Sequence, residues 1–128
     1  MRYRYEPMAY LKYEMPLDWK LSKNQRVKLK GGRTIFNAQA DKITAIGNDI
    51  RYLSISEGVE WKKQATWVIL TVHKKNNRGD AHNFVDALGD AIQEGTGTDD
   101  CWFNWIIENV IDGKEIIEIE IIQEDTGI

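Results

Sequence analysis

The sequence predicts an α/β (α+β) fold in the order β-α-β-α-β-β, a small mixed sheet with two helices. Three observations lead there. Two stretches carry apolar residues at helical spacing, others carry the β-branched and aromatic residues of strands, and a late Asp112-Gly113 pair has the chemistry of a tight turn. At 128 residues the chain fits one domain spanning 1–128. That length buries about two-thirds of the unfolded surface, so no disulfide or structural zinc is needed.

Tyr10 to Leu17 alternates loosely, with Leu11, Tyr13 and Met15 against Tyr10, Lys12 and Glu14, which predicts a first strand ending at Pro16. Residues 18–36 are polar and basic with Gly31-Gly32, and read as a long loop or mobile hairpin; such a segment is more often functional or disordered than idle. Asn37 can cap a first helix, in which Ile43, Ile46, Ile50 and Leu53 share one face and which ends near Ser56-Glu57-Gly58. Thr66 to His73 is apolar on both faces, the mark of a central strand. Asp80 is placed to cap a second helix with Phe84, Leu88, Ala91 and Ile92 as its buried stripe. At about 100° per residue, His82, Asp86 and Asp90 stack in a column on the opposite side. Glu94-Gly95-Thr96-Gly97-Thr98 ends that helix. Cys101 to Ile111 reads as a strand, Asp112-Gly113 as a two-residue hairpin, and Glu115 to Ile122 as its antiparallel return.

Composition narrows the function classes. Cys101 is the only cysteine, which excludes an internal disulfide and a Cys-based zinc cluster and fits a reducing compartment. No apolar run approaches the roughly 20 residues of a membrane span, and Met1-Arg2-Tyr3-Arg4 leads into no signal-peptide core. The expectation is a soluble intracellular protein with no membrane partner. Gly95-x-Gly97 follows a helix rather than a strand, so no nucleotide cofactor is expected. The net charge of −3 conceals an asymmetry: residues 1–78 hold 16 of the 17 Lys and Arg, whereas residues 79–128 hold only Lys114 against 13 acids. The basic side chains gather as Lys20, Lys23, Arg26, Lys28, Lys30 and Arg33, and again as Lys74, Lys75 and Arg78. Such blocks are solvated segments or a surface for a polyanion such as DNA.

Six acidic or imidazole side chains, Asp80, His82, Asp86, Asp90, Asp99 and Asp100, fall within 21 positions. Two readings are open. Asp80 can be only an N-cap, Asp86 and Asp90 only the wet face of a helix, and Asp99-Asp100 only a polar turn. Alternatively, if the strands around them are neighbours, both acidic sets lie at the same end of the sheet and converge on a hard cation. Mg²⁺ suits carboxylates, and Mn²⁺ suits a set that includes His82. Such an ion polarises a phosphodiester and generates hydroxide from water, while nearby Lys and Arg hold flanking phosphates.

The order Asp80-x-His82-Asn83, then Asp90-Ala91, then Gly95-x-x-x-Asp99-Asp100 resembles the RusA family of Holliday-junction resolvases. Members of that family read Asp-x-Asp-Asn, a Lys three residues on, Asp-Ala-Leu, and a paired Asp-Asp. Pro16 followed by Ser22-Lys23-Asn24-Gln25-Arg26 is similar to the family's early Pro-Ser-x-Asn-x-Arg segment, and the likeness covers roughly residues 16–123. The resemblance implies a RusA-like fold and a homodimeric Mg²⁺-dependent crossover junction endodeoxyribonuclease, which nicks opposing strands of four-way DNA junctions. Such proteins are common in phages and prophages, hence a bacterial cytoplasm. It implies metal ligation and catalysis by Asp80 and Asp100, with Asp99 the first of the acidic pair; the residue chemistry adds His82 as a candidate ligand and catalytic group, Asp86 as a candidate catalytic carboxylate, and the two basic segments as DNA contacts. Two positions depart from the family: His82 stands where the family has its second Asp, and Asp86 stands where it has Lys. Either His82 and Asp86 compensate as ligands, with Lys74, Lys75 or Arg78 supplying the charge, or the chain is a catalytically degenerate DNA-binding or interaction module.

Four further side chains have bland and functional readings. His73 at a strand end reads as structural or solvent-facing rather than catalytic. Trp102 and Trp105, at odd spacing, are expected on opposite faces, one in the core and one at a contact. Trp19, between Pro16 and the basic loop, either closes the core edge or stacks on an unpaired base.

Overall fold

The computed structural model describes residues 7–22, 27–28, 34–35 and 37–125. Among the described residues six strands and two α-helices follow one another as β1 (Pro7–Pro16), β2 (Val27–Lys28), β3 (Thr34–Ile35), α1 (Asn37–Ser56), β4 (Thr66–Lys74), α2 (Val85–Thr96), β5 (Phe103–Ile111) and β6 (Ile116–Glu124). Four strands make a mixed sheet in the order β1-β6-β4-β5, with β4 parallel to β5 and β6 antiparallel to both β4 and β1. Strands β2 and β3 form a separate two-residue ladder, Val27 opposite Ile35 and Lys28 opposite Thr34. Part of the expected long loop is therefore a short hairpin. A 3₁₀ turn at Trp19–Leu21 precedes it, capped by Asp18, whose carboxylate accepts from the Lys20 N–H. Whether the rest of 18–36 moves, as expected, concerns Lys23, Arg26, Lys30 and Arg33, which lie outside the described residues.

Both helices cover one face of the sheet. Leu11, Val68, Leu70, Val72, Ile117, Ile119 and Ile121 point to that side and are buried against Ile46, Ile50, Phe84, Leu88 and Ile92. The expected apolar faces of both helices are in place. The alternation along β4 matches its position between β5 and β6, where every second residue (Val68, Leu70, Val72) is wholly buried and Trp67 emerges on the other face. Where α1 and α2 cross, glycines let the backbones approach: a Cβ on Gly95 would lie 2.6 Å from the Ile50 side chain and 2.8 Å from the Gly47 carbonyl. Gln123, fully buried, anchors the α1–β4 connection: its side chain accepts from Lys62 N–H (2.8 Å) and donates to Lys62 O (2.7 Å) and Thr66 Oγ1 (3.0 Å).

Two expectations about connectivity are corrected. Asp112-Gly113 is not the turn of a hairpin between paired strands, because β4 lies between β5 and β6. The last two strands do run antiparallel, but the 112–115 segment bridges the end of β4, where Lys74 O accepts from both Asp112 N–H (3.1 Å) and Gly113 N–H (2.9 Å). Gly113 takes the left-handed conformation that this bridge requires (φ 84°). The other correction concerns Cys101 to Ile111. Its first residues wind as a 3₁₀ turn, Asp100–Trp102, and the strand begins at Phe103. Among the described residues no helix is long and apolar enough to cross a membrane.

Candidate functional site

The first acidic group follows the C-terminal end of β4. Gly79 turns the chain (φ 77°) and Asp80 caps a 3₁₀ helix, Ala81–Phe84, by accepting from His82 N–H at 3.0 Å. That backbone hydrogen bond, aided by the nearby His82 ring, holds the Asp80 carboxyl below the usual carboxylate range. His82 is 71 % exposed, with Nδ1 3.4 Å from Asp80 Oδ1. The next residue anchors the turn to the sheet, since Ala81 N–H donates to Asn109 Oδ1 of β5 at 3.0 Å.

The second acidic group precedes β5. Asp99 caps the Asp100–Trp102 turn through Cys101 N–H (2.9 Å), a bond that lowers its pKa. Asp100 N–H donates to Gln93 Oε1 at the end of α2 (3.1 Å). Desolvation by its neighbours, the hydrogen-bonded Asp99 carboxyl and the charges of Asp99 and Asp90 push the carboxyl of the exposed Asp100 up. Asp86, Asp90 and Asp100 line one cleft of about 340 Å³ with Val85, Gly89 and Trp105.

The expected convergence therefore occurs only in part. Because β4 and β5 are parallel, the residue that follows one strand and the residues that precede the other lie at opposite ends of the sheet. Asp80 sits beside Asn109 and Asp100 beside Phe103, six positions away along β5, or about 20 Å at about 3.3 Å per residue. The expectation that Asp80, His82, Asp99 and Asp100 share one end is thus corrected within a single chain. Among the described residues no group of three or more His, Cys, Asp or Glu is placed to hold a metal ion. Nor does His82 join the column of Asp86 and Asp90. It lies in the 3₁₀ segment, which turns at three residues rather than 3.6, and α2 begins only at Val85.

The basic residues divide similarly. Lys75 and Arg78 are exposed after β4, while Lys74 is only 4 % exposed and donates its ammonium to Gly79 O (2.9 Å). Lys20 is exposed in the first 3₁₀ turn, and of Lys28 the structure describes the backbone in β2. His73 is buried, as its structural reading requires, between Asp112 (Nδ1 to Oδ2, 2.7 Å) and Glu118 (Nε2 to Oε1, 3.3 Å). The second contact lacks hydrogen-bond geometry, so Nε2 stays unsatisfied. Trp105 packs beside Phe103 and close to Gly89 of α2, whereas Trp102 is 43 % exposed. Sequence reasoning left Trp19 open between two roles; the structure sets it against Phe84 (centroids 5.2 Å apart) and Gly79. The one sequence signal for that contact was a glycine ahead of Asp80.

No protein-family model matches the chain, and no curated protein matches it.

The raised pKa of the Asp100 carboxyl makes a testable contribution to stability. The folded state holds this proton more tightly than the unfolded chain, so the metal-free protein loses stability as pH climbs from the ordinary carboxylate value through the raised one. Asp100→Asn is expected to raise the midpoint of thermal unfolding at pH 7 and to leave it unchanged in acid, where Asp100 is already protonated. A midpoint gain that persists below pH 3 would show a different origin.

Proposed function

We propose that the protein is a metal-dependent endodeoxyribonuclease of the RusA kind that acts on four-way or otherwise branched DNA as a homodimer in a bacterial cytoplasm, in phage or prophage recombination. The observation that carries this reading is the sequence order Asp80, Asn83, Asp90 and Asp99-Asp100, which resembles that of the RusA family; Asp90 and Asp100 line one cleft with Asp86, although these three are not placed to hold a metal ion by themselves. Lys75 and Arg78, beside Asp80, suit the phosphates of a strand that passes this end of the sheet.

The residues of a single chain do not fit the metal, because Asp80 and Asp100 are far apart. A second copy resolves this. β5 is an edge strand of nine residues with no Lys, Arg or Pro, whereas the opposite edge, β1, carries Lys12, Pro7, Pro16 and a register irregularity between Pro7 and Ala9. Natural sheets protect edges that stay free in the manner of β1, not of β5. Antiparallel pairing of β5 with its copy brings the partner subunit's Asp100 to the end where Asp80 lies. Ile106, 49 % exposed on the face away from the helices, tests the joint. Ile106→Lys is expected to convert the dimer to a folded monomer by sedimentation and to remove cleavage; an unaltered dimer would exclude β5 as the contact.

One observation favours the second reading, a catalytically degenerate DNA-binding module: His82, at the place of a family carboxylate, interacts with Asp80 itself. Labelled four-way junction and linear duplex, each with Mg²⁺ and with Mn²⁺, separate the two. Paired nicks in the junction with either ion support the nuclease. Tight junction binding without nicks supports the module, and no preference for the junction rejects both.

A further inference from the structure

At the C-terminal end of β4 a cleft of about 300 Å³ is enclosed by Leu17, Trp19, Lys75, Arg78, Gly79 and Glu115, among others. Three connections build it, and each is fixed. Leu17 N–H donates to Glu115 O at 2.9 Å, which ties the segment after β1 to the bridge between β5 and β6. Lys74 holds the Gly79 carbonyl from beneath. Gly79 lies so close to Trp19 that a Cβ there would stand 2.4 Å from the indole, and its φ of 77° disfavours any other residue as well. Asn76 Oδ1 accepts from Arg78 N–H (3.0 Å), which shapes the turn carrying the cations. Trp19, resting on Phe84, is half-buried, and among the described residues neither Lys75 nor Arg78 makes an ion pair.

We infer that this cleft takes one unpaired nucleotide, with its base on Trp19 and Leu17 and its phosphate on Arg78 and Lys75. This rests on the proposed action on branched DNA and adds what the protein reads at the branch. The chemistry selects the ligand. A bare phosphate would use the two cations but neither the indole nor Leu17, and Glu115 would repel it. A base has a π-face for Trp19 and ring or exocyclic N–H groups for the Glu115 carboxylate. The volume lies at the lower limit of ligand pockets, enough for a single nucleotide unit. Paired, stacked bases offer no free face, whereas a nucleotide extruded at a branch point, where stacking is interrupted, does. Asp80 follows Gly79 directly, so the cleft adjoins the first acidic group.

The test uses the full chain in EDTA, so that no strand is cut. The probes are two labelled duplexes, one with a single unpaired thymidine and one with an abasic residue at that point. Wild type is expected to bind the thymidine bulge about tenfold more tightly. Trp19→Ala should remove the preference and Trp19→Phe should keep most of it. Arg78→Ala, at an exposed position that leaves the fold intact, should weaken both probes alike. Equal binding of both probes by wild type, or a preference that survives Trp19→Ala, would overturn the inference. Either result combined with paired junction nicks in Mg²⁺ or Mn²⁺ would remove the cleft and leave the nuclease reading standing. Absence of any DNA binding would remove both.

Discussion

Asp80→Asn is expected to abolish junction cleavage in Mg²⁺ and Mn²⁺, by about a thousandfold or more, while junction binding and fold stay intact. The substitution is informative because the proposal adds metal ligation to the capping that Asp80 is observed to perform. As a cap it accepts from His82 N–H, and an Asn side-chain oxygen does this equally well. As a metal ligand it needs negative charge, which Asn lacks, and a bound divalent ion accounts for several kcal/mol of transition-state stabilisation in phosphoryl hydrolysis. Junction binding in EDTA serves as the control and should match wild type, and thermal unfolding should show a folded protein whose midpoint falls only by the small contribution of the lost charge. Full nicking by the variant would reject Asp80 as a ligand and leave it a helix cap.

The second large effect is on stability. Gly95→Ala places a methyl 2.6 Å from the Ile50 side chain and 2.8 Å from the Gly47 carbonyl, with backbone rather than a mobile side-chain end on one side. Ala has a helix propensity about 1 kcal/mol better than Gly, which works against the clash. Overpacking at a rigid contact costs about 1–3 kcal/mol and more where backbone must move, so the clash wins. The midpoint should fall by several degrees, and Gly95→Val should lower it further. Gly97→Ala is the comparison: its Cβ would meet nothing, and its cost comes only from the left-handed backbone (φ 75°), roughly 1–2 kcal/mol. If Gly95→Ala proved neutral, α1 and α2 would have to separate without loss, contrary to the close packing of Ile50 against Gly95.

Much of the fold was legible because the signals are local. The spacing of Ile43, Ile46, Ile50 and Leu53 marked α1, Ser56-Glu57-Gly58 marked its end, and the two-sided apolar run from Thr66 marked β4 as central. Pairing was not legible. Asp-Gly turns the chain equally well whether the next strand joins the previous one or passes over a third, and only the contacts of Lys74 O with Asp112 and Gly113 show which. The candidate site failed for the same reason: the distance between Asp80 and Asp100 depends on β4 and β5 being parallel, a property of partners far apart in sequence. His82 left the helical column because a 3₁₀ segment, stapled to β5 by Asn109, preceded α2, and no periodicity announces that change.

The position of β6 has a consequence for how the chain is made. β6 fills the gap between β1 and β4, pairing Pro7 with Glu124 at one border and Trp67 with Ile122 at the other. On a ribosome, β1, β4 and both helices emerge with nothing to join the two halves of the sheet, and β1 waits without a neighbour until the final strand appears. Contacts of such sequence separation slow folding and leave strand edges exposed meanwhile. A stop a dozen codons early would strand β1 and bare one side of β4, giving an aggregating fragment rather than a smaller working domain.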